Sequence, residues 1–211
     1  MKLSTMIKAG LAGALVLAAS VVFSAANAAT INVTRCVATL NKTLSGQSVT
    51  FWVFGTGGMM CGGGALPGAV VEVGVYPAGS GMTDTLNLTL TINGMTPQEA
   101  APYNGHTIHM HGADVPTSED GVPETYNDTN GDTYTWTPTT EMAGSYLYHC
   151  HVHTVKHLEM GMYGALIARP KNTSGVFLNQ LTHNTATAYN YVQNYVLGTV
   201  DPAYHTATGD S

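Results

Sequence analysis

The sequence predicts an all-β domain, a sandwich or barrel of antiparallel strands. Three observations carry that expectation. Segments rich in β-branched residues, some strictly alternating, recur along the chain; clusters of Gly, Pro, Asn and Asp separate them; and no window holds a convincing 3.6-residue apolar period.

The chain opens on a segment of a different kind. Lys2 and Lys8 precede or border an apolar run over 9–23, and Ala26-Asn27-Ala28 is a small-residue cleavage site. Residues 1–28 therefore read as a secretory signal peptide cleaved after Ala28, an uncleaved membrane anchor being the alternative. Strands are then expected at 31–37, 49–54, 69–75 and 85–92, where Val, Ile, Phe, Leu and Thr alternate or run together. Further strands are expected at 133–136, 145–149 and 163–168. Turn-forming clusters at 55–64, 77–81, 93–97 and 127–132 punctuate them. Gly62-Gly63-Gly64 reads as a loop, since no Gly-Lys-Ser/Thr follows to make a phosphate cradle.

Composition narrows the function. Only 9% of the 211 residues are charged, yet a single long apolar run and a mean hydropathy of +0.05 argue against a membrane protein with spans beyond the signal. The net charge of −6 leaves no basic face for nucleic acid. A secretory signal places the mature chain outside the cytoplasm, periplasmic or secreted, where disulfides persist. Cys36 and Cys61 could pair there. The unusual number is nine histidines against seven Lys plus Arg.

Seven of those histidines lie in two clusters, Gly105-His106-Thr107-Ile108-His109-Met110-His111-Gly112 and the segment from Tyr148 to Met162, which begins Tyr148-His149-Cys150-His151-Val152-His153. Side chains on a strand alternate between faces. His109 and His111 therefore share a face that His106 does not, and His149 and His151 share a face opposite Cys150. Two histidine pairs can converge on one side, and Cys150 and His106 on the other. One thiolate, two imidazoles and a thioether make a blue-copper ligand set, which Cys150, His106, His157 and Met162 can supply. Four imidazoles on the opposite face suit a second copper site, and the His149-Cys150-His151 peptide is a short covalent path between the two. Zinc also takes His and Cys, but a closed zinc site needs four ligands and no Met, and leaves most of these histidines unused.

At these residues the chain resembles the cupredoxin domain of multicopper oxidases. The first cluster is similar to that family's His-x-x-His-x-His pattern, and the second to its His-Cys-His-x3-His-x3-Gly-Met pattern. Leu66-Pro67-Gly68, Asp120-Gly121-Val122-Pro123, Gly144-Ser145-Tyr146-Leu147-Tyr148 and Met162-Tyr163-Gly164 extend the resemblance over roughly 49–170. The resemblance implies a cupredoxin-like Greek-key β-sandwich or barrel, with a domain over 29–175. It implies that His106, Cys150, His157 and Met162 bind a blue copper, with His109 on the mononuclear copper of a trinuclear cluster and His111, His149 and His151 on its coupled pair. Cys150 and its flanking histidines would then carry electrons from a donor, which the motifs do not identify, to dioxygen. Five residues separate His151 from His157 where the common pattern has three, so His153 is a rival blue-copper ligand; the His157-x4-Met162 spacing favours His157. Copper nitrite reductases are close relatives, but their motifs have Asp at the position of His109 and a non-ligand at that of His151.

Two His-x-His pairs supply four of the eight cluster ligands of the family. The rest must come from another subunit of a homo-oligomer or from a second cupredoxin domain. Residues 176–211 resemble the start of such a domain, notably around Tyr189-Asn190-Tyr191-Val192, which suggests truncation; the alternative is a single domain whose tail packs on its own barrel. His183 and His205, within this tail, lack motif context and read as ordinary polar residues. A blue-copper electron-transfer module without turnover and a nitrite reductase-like enzyme stand as alternatives to the oxidase.

Overall fold

The computed structural model describes residues 28–58, 61–92, 105–125 and 131–206. The expected signal peptide thus lies outside the described residues except for Ala28. Among the described residues nine strands form two sheets: β1 (Thr30–Leu44), β2 (Gln47–Thr56), β3 (Gly62–Gly64), β5 (Thr85–Thr91) and β7 (Asp132–Trp136) in the order β3-β2-β1-β5-β7, and β4 (Gly68–Val75), β6 (His109–His111), β8 (Gly144–His149) and β9 (Tyr163–Pro170) in the order β4-β9-β8-β6. The all-β, cupredoxin-like expectation holds. The core lies between the sheets, where Phe54, Val73, Leu86, Leu88, Trp136, Tyr148 and Leu166 are buried in one cluster.

Three expectations need correction. The sheets are mixed, not purely antiparallel: β1 pairs parallel with β5 and β4 with β9. Alternation marks a strand but carries no information on the direction of its partner. The segment 55–64 is not all loop, because Gly62–Gly64 returns to pair with β2. The described residues also include one α-helix, α1 (Thr154–Met160). Seven residues make too short a window for a 3.6-residue period to register.

β1 runs seven residues past its expected end, into the polar stretch Asn41-Lys42-Thr43. A two-residue turn explains this. Ser45 and Gly46 both have positive φ, 49° and 83°, the geometry that matches strand twist and lets Leu44 pair with Gln47. Cys36 of β1 and Cys61, just before β3, form a disulfide with Cα atoms 5.6 Å apart. Arg35, also on β1, is buried and bridges the sheets: its Nε donates to Tyr148 Oη at 3.3 Å and an Nη to the Ala69 carbonyl at 3.1 Å.

Beyond β9 the chain folds back on itself. Residues 189–196 lie beside Ser145, Leu147, Ala165 and Ile167 of β8 and β9. The tail then reaches α1, where the Asp201 N–H donates to Glu159 at 2.7 Å and His205 Nδ1 donates to the Thr50 carbonyl at 2.6 Å. His205, expected to be an ordinary polar residue, packs against β2: its side chain is 1% exposed and its ring sits 4.6 Å from that of Phe51. Among the described residues no helix is long and apolar enough to cross a membrane.

Candidate metal centre

β6 and β8 pair antiparallel with His109 opposite His149, Met110 opposite Tyr148 and His111 opposite Leu147. Met110 and Tyr148 are fully buried in the core. By alternation, His109, His111 and the His149 ring then turn away from it. Just past β8 the same alternation continues, and Cys150 is fully buried while His151 is half-buried.

On the core side, His106, Cys150 and His157 place one ligand atom each within 4.8 Å of one another. Cys150 Sγ lies 3.0 Å from His157 Nδ1 and 3.8 Å from His106 Nδ1, and all three residues are fully buried. A sulfur at about 2.3 Å and a nitrogen at about 2.0 Å from one ion at a tetrahedral angle are separated by about 3.5 Å, so these spacings suit a shared metal. The Thr107 N–H points at the sulfur from 3.5 Å and stabilises negative charge on it. Burial, with the neighbouring His106, His153 and Lys156 adding to it, pushes the His157 pKa down to about 2, so the imidazole is neutral and has a lone pair to offer. Trp52 meets both rings edge-on, at 5.4 Å from His157 and 6.0 Å from His106. Met162 is fully buried and tied by its main chain to both partners: it accepts from the Cys150 N–H at 3.1 Å and donates to the His157 carbonyl at 2.9 Å.

The two additional residues between His151 and His157 have a place in the fold. His153 takes a left-handed conformation, φ 47° and ψ 56°, and starts α1, whose first turn His157 closes by donating its N–H to the His153 carbonyl at 3.0 Å. That turn carries the His157 ring to the sulfur, whereas the His153 ring stays 6.1 Å from the His157 ring.

On the other side, His109, His111 and His149 place ligand atoms within 4.8 Å of one another. The His151 ring is 4.9 Å from that of His109 but its nitrogens fall outside that closest set. Hydrogen bonds set the tautomers. His109 Nδ1 donates to the Asp120 carbonyl at 2.6 Å, and His149 Nδ1 to the Cys150 carbonyl at 2.9 Å. Thr154 Oγ1 gives its one proton to the His151 carbonyl, so His151 Nδ1 must donate to Oγ1, at 3.2 Å. These three rings keep Nε2 as an open lone pair. His111 instead turns Nδ1 toward His149 Nε2 at 3.3 Å, the separation of two nitrogens each about 2.0 Å from one tetrahedral ion. Burial, reinforced by repulsion from His109, His111 and His151, pushes the His149 pKa down to about 4 and keeps it neutral.

The supporting residues Thr107, Thr154 and Trp52 escaped the sequence reading. They act through a hydroxyl, a main-chain N–H or a ring edge supplied by the fold, and no spacing in the chain announces them. Asp120-Gly121 did carry a signal, as part of the family-like segment Asp120-Gly121-Val122-Pro123. Gly121 has φ +66°, and a Cβ there would sit 2.1 Å from the Ile108 carbonyl. The turn needs glycine, and it presents the Asp120 carbonyl to His109.

Residues 99–173 match the family model described as Multicopper oxidase. The fold is similar to that of a multicopper oxidase from Campylobacter jejuni, described as a metallo-oxidase, with 22% identity and a TM-score of 0.51 over 70% of this chain and 29% of that one. It is also similar to a multi-copper oxidase from Pseudomonas Thermotolerans, with 23% identity and a TM-score of 0.52 over 68% of this chain and 30% of that one. The chain spans less than a third of the length of either. No curated protein sequence matches it.

Proposed function

We propose that this chain is a copper-dependent oxidoreductase of the multicopper oxidase type. In this reading His106, Cys150, His157 and Met162 hold a blue copper, while His109, His111, His149 and His151 hold half of a trinuclear cluster that another domain or subunit completes. Electrons from a donor reach dioxygen, which is reduced to water. Copper, when bound, supplies the one-electron redox change and the affinity for oxygen.

The observation that carries this reading is the position of Cys150. Its sulfur belongs to the core-side ligand set, while His149 before it belongs to the other set and the ring of His151 after it lies 4.9 Å from that of His109. His149 also donates from Nδ1 to the Cys150 carbonyl at 2.9 Å, so a hydrogen bond runs alongside the peptide between the two sites. The rings of the core-side set are buried against Trp52, which excludes water and holds their geometry through any change of charge at the sulfur. His111 of the second set lines a groove that runs past Gly112, Tyr146 and Leu147 to Tyr195 and Val196. That leaves the half-cluster accessible to a partner.

Two further points support an extracytoplasmic location, periplasmic or secreted: the signal-like residues 1–28 and the Cys36–Cys61 disulfide. His109 and His151 both contribute rings to the cluster of imidazoles, which weighs against the nitrite reductase-like reading. One observation favours a blue-copper electron-transfer module without turnover: the chain brings four imidazoles to a cluster that needs eight. Copper loading of wild-type protein and Cys150→Ser tests the proposal. The wild type gains an intense blue absorption that the variant lacks; a variant that stays blue refutes the ligand assignment.

A further inference from the structure

We infer that processing after Ala28 makes the Ala29 nitrogen a structural ammonium, seated on the buried carboxylate of Asp84. The inference rests on the reading of residues 1–28 as a cleaved signal. The Ala29 nitrogen donates to Asp84 Oδ1 at 2.8 Å. The Ala29 carbonyl accepts from the Thr85 N–H at 2.9 Å, which holds this nitrogen in place where β1 begins to pair with β5 at Thr30 and Thr85.

Asp84 is fully buried and surrounded by donors. Its Oδ2 accepts from Lys171 Nζ at 2.6 Å and from the Gly74 N–H at 3.1 Å. The Lys171 ammonium in turn lies over the Phe177 ring, 4.7 Å from its centroid. β4 is shaped around this group: a Cβ on Gly74 would come within 2.4 Å of Oδ2. A buried carboxylate needs charge and hydrogen bonds around it. Lys171 meets the charge from one side. On the other side stands the first residue that cleavage after Ala28 would expose.

In the uncut chain Ala29 offers one neutral peptide N–H. In the cut chain the same atom carries a full positive charge at the same distance, and a charge-assisted hydrogen bond is roughly twice as strong as a neutral one. Ala29 itself is exposed, so the ammonium keeps water on its outer side. The desolvation that makes buried ion pairs costly has already fallen on Asp84 and is already offset by Lys171. β1 is the strand between β2 and β5, so the ion pair fastens the start of a central strand. Maturation thus makes the fold more stable than that of its precursor.

The test uses the full chain, expressed with export. Intact mass and N-terminal sequencing are expected to show a product that begins at Ala29. A Gly inserted between Ala28 and Ala29 leaves the cleavage motif intact but moves the ammonium about 3.8 Å along the chain and restores a peptide N–H at Asp84. This insertion is expected to lower Tm by roughly 2–4 °C or more and to speed acylation of the α-amino group at neutral pH several-fold. In an Asp84→Asn background the insertion should change neither. If Asp84→Asn does not fold, the acylation contrast between wild type and insertion decides. A product that begins elsewhere overturns both the processing site and the ion pair. A product that begins at Ala29, with Tm and acylation unmoved by the insertion, overturns the ion pair and leaves the processing site standing. Neither readout involves copper, so the outcome is separate from the oxidase reading.

Discussion

At the scale of single residues, the site turns on which imidazole reaches Cys150. His157 Nδ1 stands 3.0 Å from the sulfur, and His153 serves to start the helix that brings it there. His157→Ala should therefore abolish the blue absorption of the copper-loaded protein, while His153→Ala keeps it; visible spectra of the two variants at equal copper decide. The proposed ligand residues stood out in the sequence because thiolate, imidazole and thioether are rare in combination and their spacing is local. Their supports were not. Thr107, Thr154 and Asp120 act on the histidines through a hydroxyl or main-chain groups whose placement only tertiary structure decides. The buried role of His205 was illegible for the same reason: its partners, Thr50 and Phe51, lie about 150 residues away in the chain.

At the scale of elements, the pairing of β6 with β8 makes the second site, and the Asp120-Gly121 turn orients His109 in it. Gly121→Ala places a Cβ against the Ile108 carbonyl in a conformation that L-residues avoid, which should cost about 2 kcal/mol or more and lower copper occupancy of the His109 site; denaturant unfolding and metal analysis measure the two effects. The Cys36–Cys61 disulfide closes a loop of 25 residues, so replacing both cysteines by Ala should lower unfolding free energy by about 3 kcal/mol, read from denaturant titration, without removing the blue colour. Most strands were legible because alternation and turn residues are local signals. The parallel pairing of β1 with β5 and of β4 with β9 was not, since pairing direction resides in no single segment. The β1–β2 turn was missed because Ser45-Gly46 lies in a stretch, 41–48, that is polar except for Leu44 and resembles a loop.

At the scale of the whole molecule, the proposed reading gives the described domain both ends of an electron path and half of a cluster. The tail packs along β8 and β9 and anchors on α1 through Glu159, the residue two places past His157. Sequence could register the resemblance of 176–211 to a domain start, but the contacts that hold this segment against the sheet are long-range and leave no local pattern. The groove at His111 remains open between β8 and the tail, and in the proposed reading it is where a partner would bring its imidazoles. The most direct test is oxygen consumption with a phenolic donor, measured across size-resolved fractions of the copper-loaded chain together with copper per chain. The account predicts oxygen uptake in assembled species alone, with more than one copper per chain. A monomer that reduces oxygen, or assemblies with one copper per chain and no uptake, would contradict it.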